Sequence, residues 1–122
     1  MRSILIIDDS MTQQRIIKKL LQDRYEILTS ESGVDGIKIA KEVKPDLILL
    51  DYDMPILSGK ETFQRLQKQA ETKNIPVIFL TGLDKREDVE AVLKLRPRGY
   101  LLKPVEQDKL LRTIKSVLPD EK

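Results

Sequence analysis

Residues 47–55 read Leu47-Ile48-Leu49-Leu50-Asp51-Tyr52-Asp53-Met54-Pro55. Four branched apolar residues without a polar interruption predict a strand covered on both faces, the pattern of parallel sheets sandwiched between helices. The run ends on a carboxylate, and Pro55 marks a turn beyond it. Two other stretches repeat this form: Ile4-Leu5-Ile6-Ile7 stopping at Asp8-Asp9, and Val77-Ile78-Phe79-Leu80 stopping at Thr81. Two weaker runs complete the set. Residues 25–29 alternate and are expected at a sheet edge, and residues 100–102 lead into Lys103.

Helical periodicity fills the intervals. Ile16, Ile17, Leu20 and Leu21 share one face after the first run. Leu110, Leu111, Ile114, Val117 and Leu118 form the clearest stripe, with Pro119 ending it. Ser58 with Glu61, and Asp84 with Glu87, have the spacing of capping boxes ahead of Phe63 and Val89. Val34, Ile37 and Ala40 mark a weaker helix, its propensity lowered by Gly33 and Gly36. Five strand–helix units in strict alternation predict an α/β fold, a doubly wound five-stranded parallel sheet with helices on both faces.

Composition narrows the chemistry. At 122 residues the chain is expected to form a single domain over residues 1–122. It contains no Cys, which removes disulfides and thiolate chemistry, and no His, which removes the commonest general base and transition-metal ligand. The net charge of +2 and an aromatic content of 4% argue against a nucleic-acid surface. The first apolar run is too short for a signal peptide, and no run approaches a membrane span, so a cytoplasmic location is expected.

In doubly wound sheets, sites gather at the carboxyl ends of the strands. Four of the five runs end there on a chemically capable side chain: Asp8-Asp9, Asp51, Thr81 and Lys103. Each has a structural reading of its own. Asp9 or Ser10 suits a helix cap, Asp51 a turn, Thr81 a hydroxyl-mediated turn, and Lys103 a solvated strand end. Converging at one edge, they point instead to a site. Three adjacent carboxylates repel one another unless a cation sits between them, and a hard divalent ion such as Mg²⁺ suits an all-oxygen ligand set. A carboxylate beside such an ion and a lysine is also equipped to attack phosphorus.

These segments, together with Gly99-Tyr100-Leu101-Leu102-Lys103-Pro104, resemble the response-regulator receiver domains of two-component signalling, of the CheY type. The intervals agree as well: 42 residues from Asp9 to Asp51, 30 from Asp51 to Thr81 and 22 from Thr81 to Lys103. The resemblance spans essentially the whole chain and implies the CheY-like strand order 2-1-3-4-5. It implies Asp51 as acceptor of a phosphoryl group from phosphohistidine, and Asp8, Asp9, Asp51 and the backbone carbonyl of Asp53 as Mg²⁺ ligands. It implies Lys103 as the partner of the carboxylate and then of the phosphoryl, Thr81 as the switch hydroxyl, and Tyr100 as the aromatic that follows it. A cis bond before Pro104 is implied too. The partners implied are a sensor histidine kinase or phosphotransfer protein and a downstream protein target. No direct contact with nucleic acid or membrane is expected, and the unit is expected to act as a monomer or a phosphorylation-dependent dimer. On this reading the domain is not an enzyme beyond its own phosphorylation and dephosphorylation.

Three features depart from the family pattern. Asp53 is acidic two residues after the acceptor, Leu83 is apolar two residues after Thr81, and Arg96-Pro97-Arg98 is an unusual approach to the last strand. With Lys94, those arginines form a small basic cluster that reads first as solvated surface. Two other functions compete. Asp51-Tyr52-Asp53 superficially resembles the Asp-x-Asp of haloacid-dehalogenase-type phosphatases, although those place it after their first strand. A phosphorylation-independent interaction module of the same fold would be marked by loss of the acceptor, an acidic residue or the lysine, and none is lost. A flavin site is disfavoured because Asp8-Asp9 would repel its phosphate.

Overall fold

The structure is a computed structural model that describes residues 1–82 and 86–119, and the side chains of all of these but 86–88. The elements alternate throughout: β1 Ser3–Ile7, α1 Met11–Leu21, β2 Glu26–Ser30, α2 Gly33–Val43, β3 Leu47–Asp51, α3 Gly59–Gln67, β4 Val77–Thr81, α4 Arg86–Lys94, β5 Gly99–Leu102 and α5 Gln107–Val117. All four strand pairings are parallel, and the order is β2-β1-β3-β4-β5.

The unbroken apolar runs are explained by two cores, one on each face. Ile4, Ile6, Leu47, Leu49, Ile78, Leu80 and Leu101 pack against Ile17 and Leu21 of α1 and Leu110 and Ile114 of α5. Their strand neighbours Leu5, Ile7, Ile48, Leu50, Val77 and Phe79 point the other way, against Ile37 and Ala40 of α2, Phe63 and Leu66 of α3 and Val92 of α4. β2 lies at an edge, as its alternation predicts, with Glu26 and Thr29 exposed.

Boundaries differ from the sequence reading by one residue in places. β2 starts at Glu26 rather than at residue 25, because the Tyr25 N–H donates to the Leu21 carbonyl and the ladder opens with Glu26 N–H on Arg2. β3 and β4 run one residue further, to Asp51 and Thr81. Ladder pairing holds these two side chains at the strand tips rather than in loops: Asp51 is in register with Leu80, and Thr81 with Leu102.

Caps follow the polar residues. Ser10, Ser32 and Ser58 accept from the backbone N–H three residues on, at Gln13, Asp35 and Glu61. Leu83 and Asp84 lie outside the described residues, as does the Glu87 side chain, so the Asp84–Glu87 cap falls outside them too. Gly36 packs under the Ile7 side chain, so α2 gives up helix propensity for a close approach to β1.

Gly59 matters more for the site. A Cβ there would strike the Asp51 carbonyl and the Cα of Tyr52, backbone that cannot yield without shifting the tip of β3. Gly59→Ala is therefore expected to lower stability by about 1–3 kcal/mol, the usual range for overpacking. Urea unfolding read by circular dichroism checks this; an unchanged midpoint would show that the loop yields freely.

Candidate functional site

Three strands deliver the site. β1 ends before Asp8 and Asp9, β3 ends in Asp51, and the chain leaving β5 carries Lys103. One carboxylate oxygen from each of Asp8, Asp9 and Asp51 lies within 4.8 Å of the others. Asp8 and Asp51 are buried, at 0% and 3% exposure, whereas Asp9 faces solvent. The Lys103 Nζ bridges the two buried groups, donating to Asp8 Oδ2 at 3.2 Å and to Asp51 Oδ1 at 3.1 Å.

Every polar atom of Asp8 is engaged. Its N–H donates to the Ser30 carbonyl at 3.0 Å, and Oδ1 accepts from the Ser10 N–H at 2.9 Å. Oδ2 takes the Lys103 bond, and the carbonyl accepts from Gln14 Nε2 at 2.7 Å. Gln14 was not among the residues singled out from the sequence. Buried in α1, it also donates to the Ser30 carbonyl at 2.9 Å, tying the tips of β1 and β2 together. The one available signal was a polar residue near the start of α1, close to the face that carries Ile17 and Leu21.

Replacing Gln14 by Leu would strip a donor from two buried carbonyls, an expected loss of about 1–3 kcal/mol. Looser anchoring of Asp8 should also weaken divalent-cation binding several-fold, although Gln14 touches none of the three carboxylates in their shared space. Denaturation and calorimetric titration measure the two effects separately.

Electrostatics follow from this crowding. Burial, reinforced by the Asp8 charge, pushes the Asp51 carboxyl from 3.8 up to about 7, against the opposing pull of Lys103. Burial works against the Lys103 charge, but Asp51 and Asp8 together raise its ammonium above the usual 10.5. Three carboxylates against one ammonium leave two negative charges when all are ionised, and one divalent cation would balance them. The donors are all hard oxygens, so the residues present fit Mg²⁺ or a similar ion.

The remaining residues singled out from the sequence are placed as follows. Thr81 is buried at the tip of β4, where its carbonyl accepts from the Lys103 N–H at 2.8 Å. The Asp53 carboxylate is exposed and stands outside the cluster, while its N–H donates to Asp51 Oδ1 at 3.4 Å. Tyr100 is half-buried on β5 and packs against the α2/α3/α4 face, in register with Phe79. The Lys103–Pro104 bond is cis.

A 2-1-3-4-5 parallel sheet with an acidic pocket at its carboxyl edge and a lysine across it defines a doubly wound domain of the CheY-like class. The chain belongs to the response regulator receiver domain family, which it matches over residues 4–115. It is 40% identical to Protein PilH of Pseudomonas aeruginosa over 119 residues, covering 97% of this chain and 98% of that protein. The chemotaxis protein CheY4 of Vibrio cholerae superposes with a TM-score of 0.88 at 29% identity, covering 97% of this chain and 99% of that one. The receiver domain of a sensor histidine kinase from Pseudomonas aeruginosa, solved with a magnesium ion coordinated in its active-site cleft, gives a TM-score of 0.89 at 25% identity, with 98% of each chain covered. The chain is thus a two-component response-regulator receiver, a signalling domain rather than a conventional enzyme. These relatives give no support to the phosphatase alternative. Among the described residues no helix is long and apolar enough to cross a membrane.

Proposed function

We propose that Asp51 accepts a phosphoryl group and that its phosphorylation switches a protein-interaction face. The observation that carries this reading is the position of Lys103, whose Nζ lies 3.1 Å from a buried carboxylate flanked by two more. An ionised Asp51 oxygen attacks phosphorus in the phosphohistidine of a sensor kinase or phosphotransfer protein. The P–O bond forms as the P–N bond breaks, and the imidazole departs with a proton, leaving an acyl phosphate. Mg²⁺ held by Asp8, Asp9, Asp51 and the backbone carbonyl of Asp53 would supply neutralisation of the phosphoryl oxygens.

The chain's own residues do the rest. Ser10 and Gln14 hold Asp8 at the pocket floor. Lys103 keeps one Asp51 oxygen paired before transfer and takes a phosphoryl oxygen after it. Thr81, at the tip of the adjacent strand, donates its hydroxyl to another phosphoryl oxygen, and Tyr100 turns inward behind it. The new charge thereby biases a two-state element toward a form that a downstream protein target recognises. Catalysis is confined to the domain's own phosphorylation and dephosphorylation, in the cytoplasm.

Intact-protein mass spectrometry after brief exposure to acetyl phosphate and Mg²⁺ is expected to show one added phosphoryl. The adduct should vanish with chelator. No adduct at any sampling time, with the protein folded and magnesium present, would overturn the assignment, and repeated turnover of a phosphate monoester would restore the phosphatase reading.

A further inference from the structure

The end of the sheet remote from the acidic pocket carries a second polar recess. It has a volume of about 220 Å³ and lies between the α3–β4 and α4–β5 connections, with Lys73, Asn74, Arg96 and Arg98 at its rim and Gln67 beside them. That volume is about seven waters' worth at roughly 30 Å³ each. None of its lining residues is acidic. Among the described residues, no carboxylate forms an ion pair with Lys73, Arg96 or Arg98.

Main-chain hydrogen bonds anchor the backbone at each of these exposed cations. The Arg98 N–H donates to the Val77 carbonyl at 3.0 Å, the Arg96 N–H to Leu93 at 3.0 Å, and the Lys73 N–H to Gln69 at 2.9 Å. Arg96 adopts a left-handed conformation with φ 56°. Just past a helix end, glycine or asparagine is the usual choice for that conformation, and Pro97 narrows the options further. An arginine there accepts backbone strain and sets a guanidinium at the recess.

Helix dipoles offer a competing account of the positive charge. α3 and α4 both direct their carboxyl ends to this side, each equivalent to about half a negative charge. Three full cations against two half charges leave a surplus of roughly two positive charges, which matches a phosphate dianion. Guanidinium forks and side-chain amides are also the donors suited to phosphate oxygens.

We propose that this recess binds a phosphate-bearing small molecule through Lys73, Arg96 and Arg98, at a site separate from the acidic pocket. The test is a titration of the isotope-labelled 122-residue chain with inorganic pyrophosphate, in chelator to silence the acidic pocket, followed by amide NMR. Saturable shifts are expected at Asn74, Ile75, Val77, Arg98 and Gly99, with half-saturation near ~1 mM or below. The double variant Arg96→Gln/Arg98→Gln should weaken binding tenfold or more. Lys73 is exposed and outside the strained turn, so Lys73→Gln keeps the test intact if the double variant misfolds; it should weaken binding about threefold. Shifts that sodium chloride reproduces at equal ionic strength would overturn the proposal, as would unsaturable shifts or shifts indifferent to the variants.

Discussion

Asp51→Asn is expected to abolish phosphoryl incorporation while making the metal-free protein more stable at pH 8. The amide keeps the shape of the side chain but removes both the proposed nucleophile and the buried charge. The second effect follows from the raised pKa, about 7 in the folded protein against an ordinary 3.8. Between those values the folded state holds a proton that the unfolded chain has released, so stability falls as pH rises through the window. Above about pH 7 the ionised group opposes folding by an amount set by burial and by Asp8. Removing it should return about 1–3 kcal/mol, less than the full shift because the substituted amide would pair less well with Lys103. Urea unfolding at pH 5 and pH 8 in chelator tests this directly. The wild type should lose stability between the two pH values and the variant should lose less. A variant weaker than wild type at pH 8 would mean that the Lys103 pair outweighs the burial cost.

The second large effect concerns the cation. An ion that uses Asp51 must displace the proton held there below about pH 7. Magnesium affinity is therefore expected to rise about tenfold per pH unit between pH 5 and 7 and to level off above, a span of roughly a hundredfold. About one proton should be released per ion bound at pH 6 and almost none at pH 8. Calorimetry in two buffers of different ionisation enthalpy counts those protons. The chain has no Trp, so intrinsic fluorescence must come from tyrosine, and Tyr52 adjoins Asp51. A flat affinity from pH 5 to 8 would contradict a raised Asp51 pKa or show that the ion does not use Asp51.

How much of this was legible beforehand depends on the residue. Ile4–Ile7, residues 47–50 and residues 77–80 announced themselves because a strand buried on both faces needs no polar alternation, and two cores account for that. Asp8, Asp9, Asp51 and Lys103 were legible because a strand's end is visible in the sequence and the fold class says what the ends share. The weak reading of α2 has a tertiary cause: Gly36 costs helix propensity but admits the Ile7 side chain. Gln14 escaped notice because a glutamine on an amphipathic helix looks like surface until the carbonyls of Asp8 and Ser30 are seen converging on it. Arg96 was conspicuous as half of an odd Arg-Pro-Arg approach and as part of a small basic cluster that reads first as solvated surface. Its left-handed backbone, and the recess beside it, depend on how α4 ends against β5.

Lys103 and Asp8, joined across the pocket, stand 95 residues apart in the chain. The ammonium therefore reaches the carboxylates only after the last strand has docked, so a nascent or truncated polypeptide would hold the acids without their counterweight. Readiness to receive a phosphoryl group would in this sense arrive with β5 and not with the acids: a chain cut before residue 103, however well its first strands had collapsed, would stay deaf.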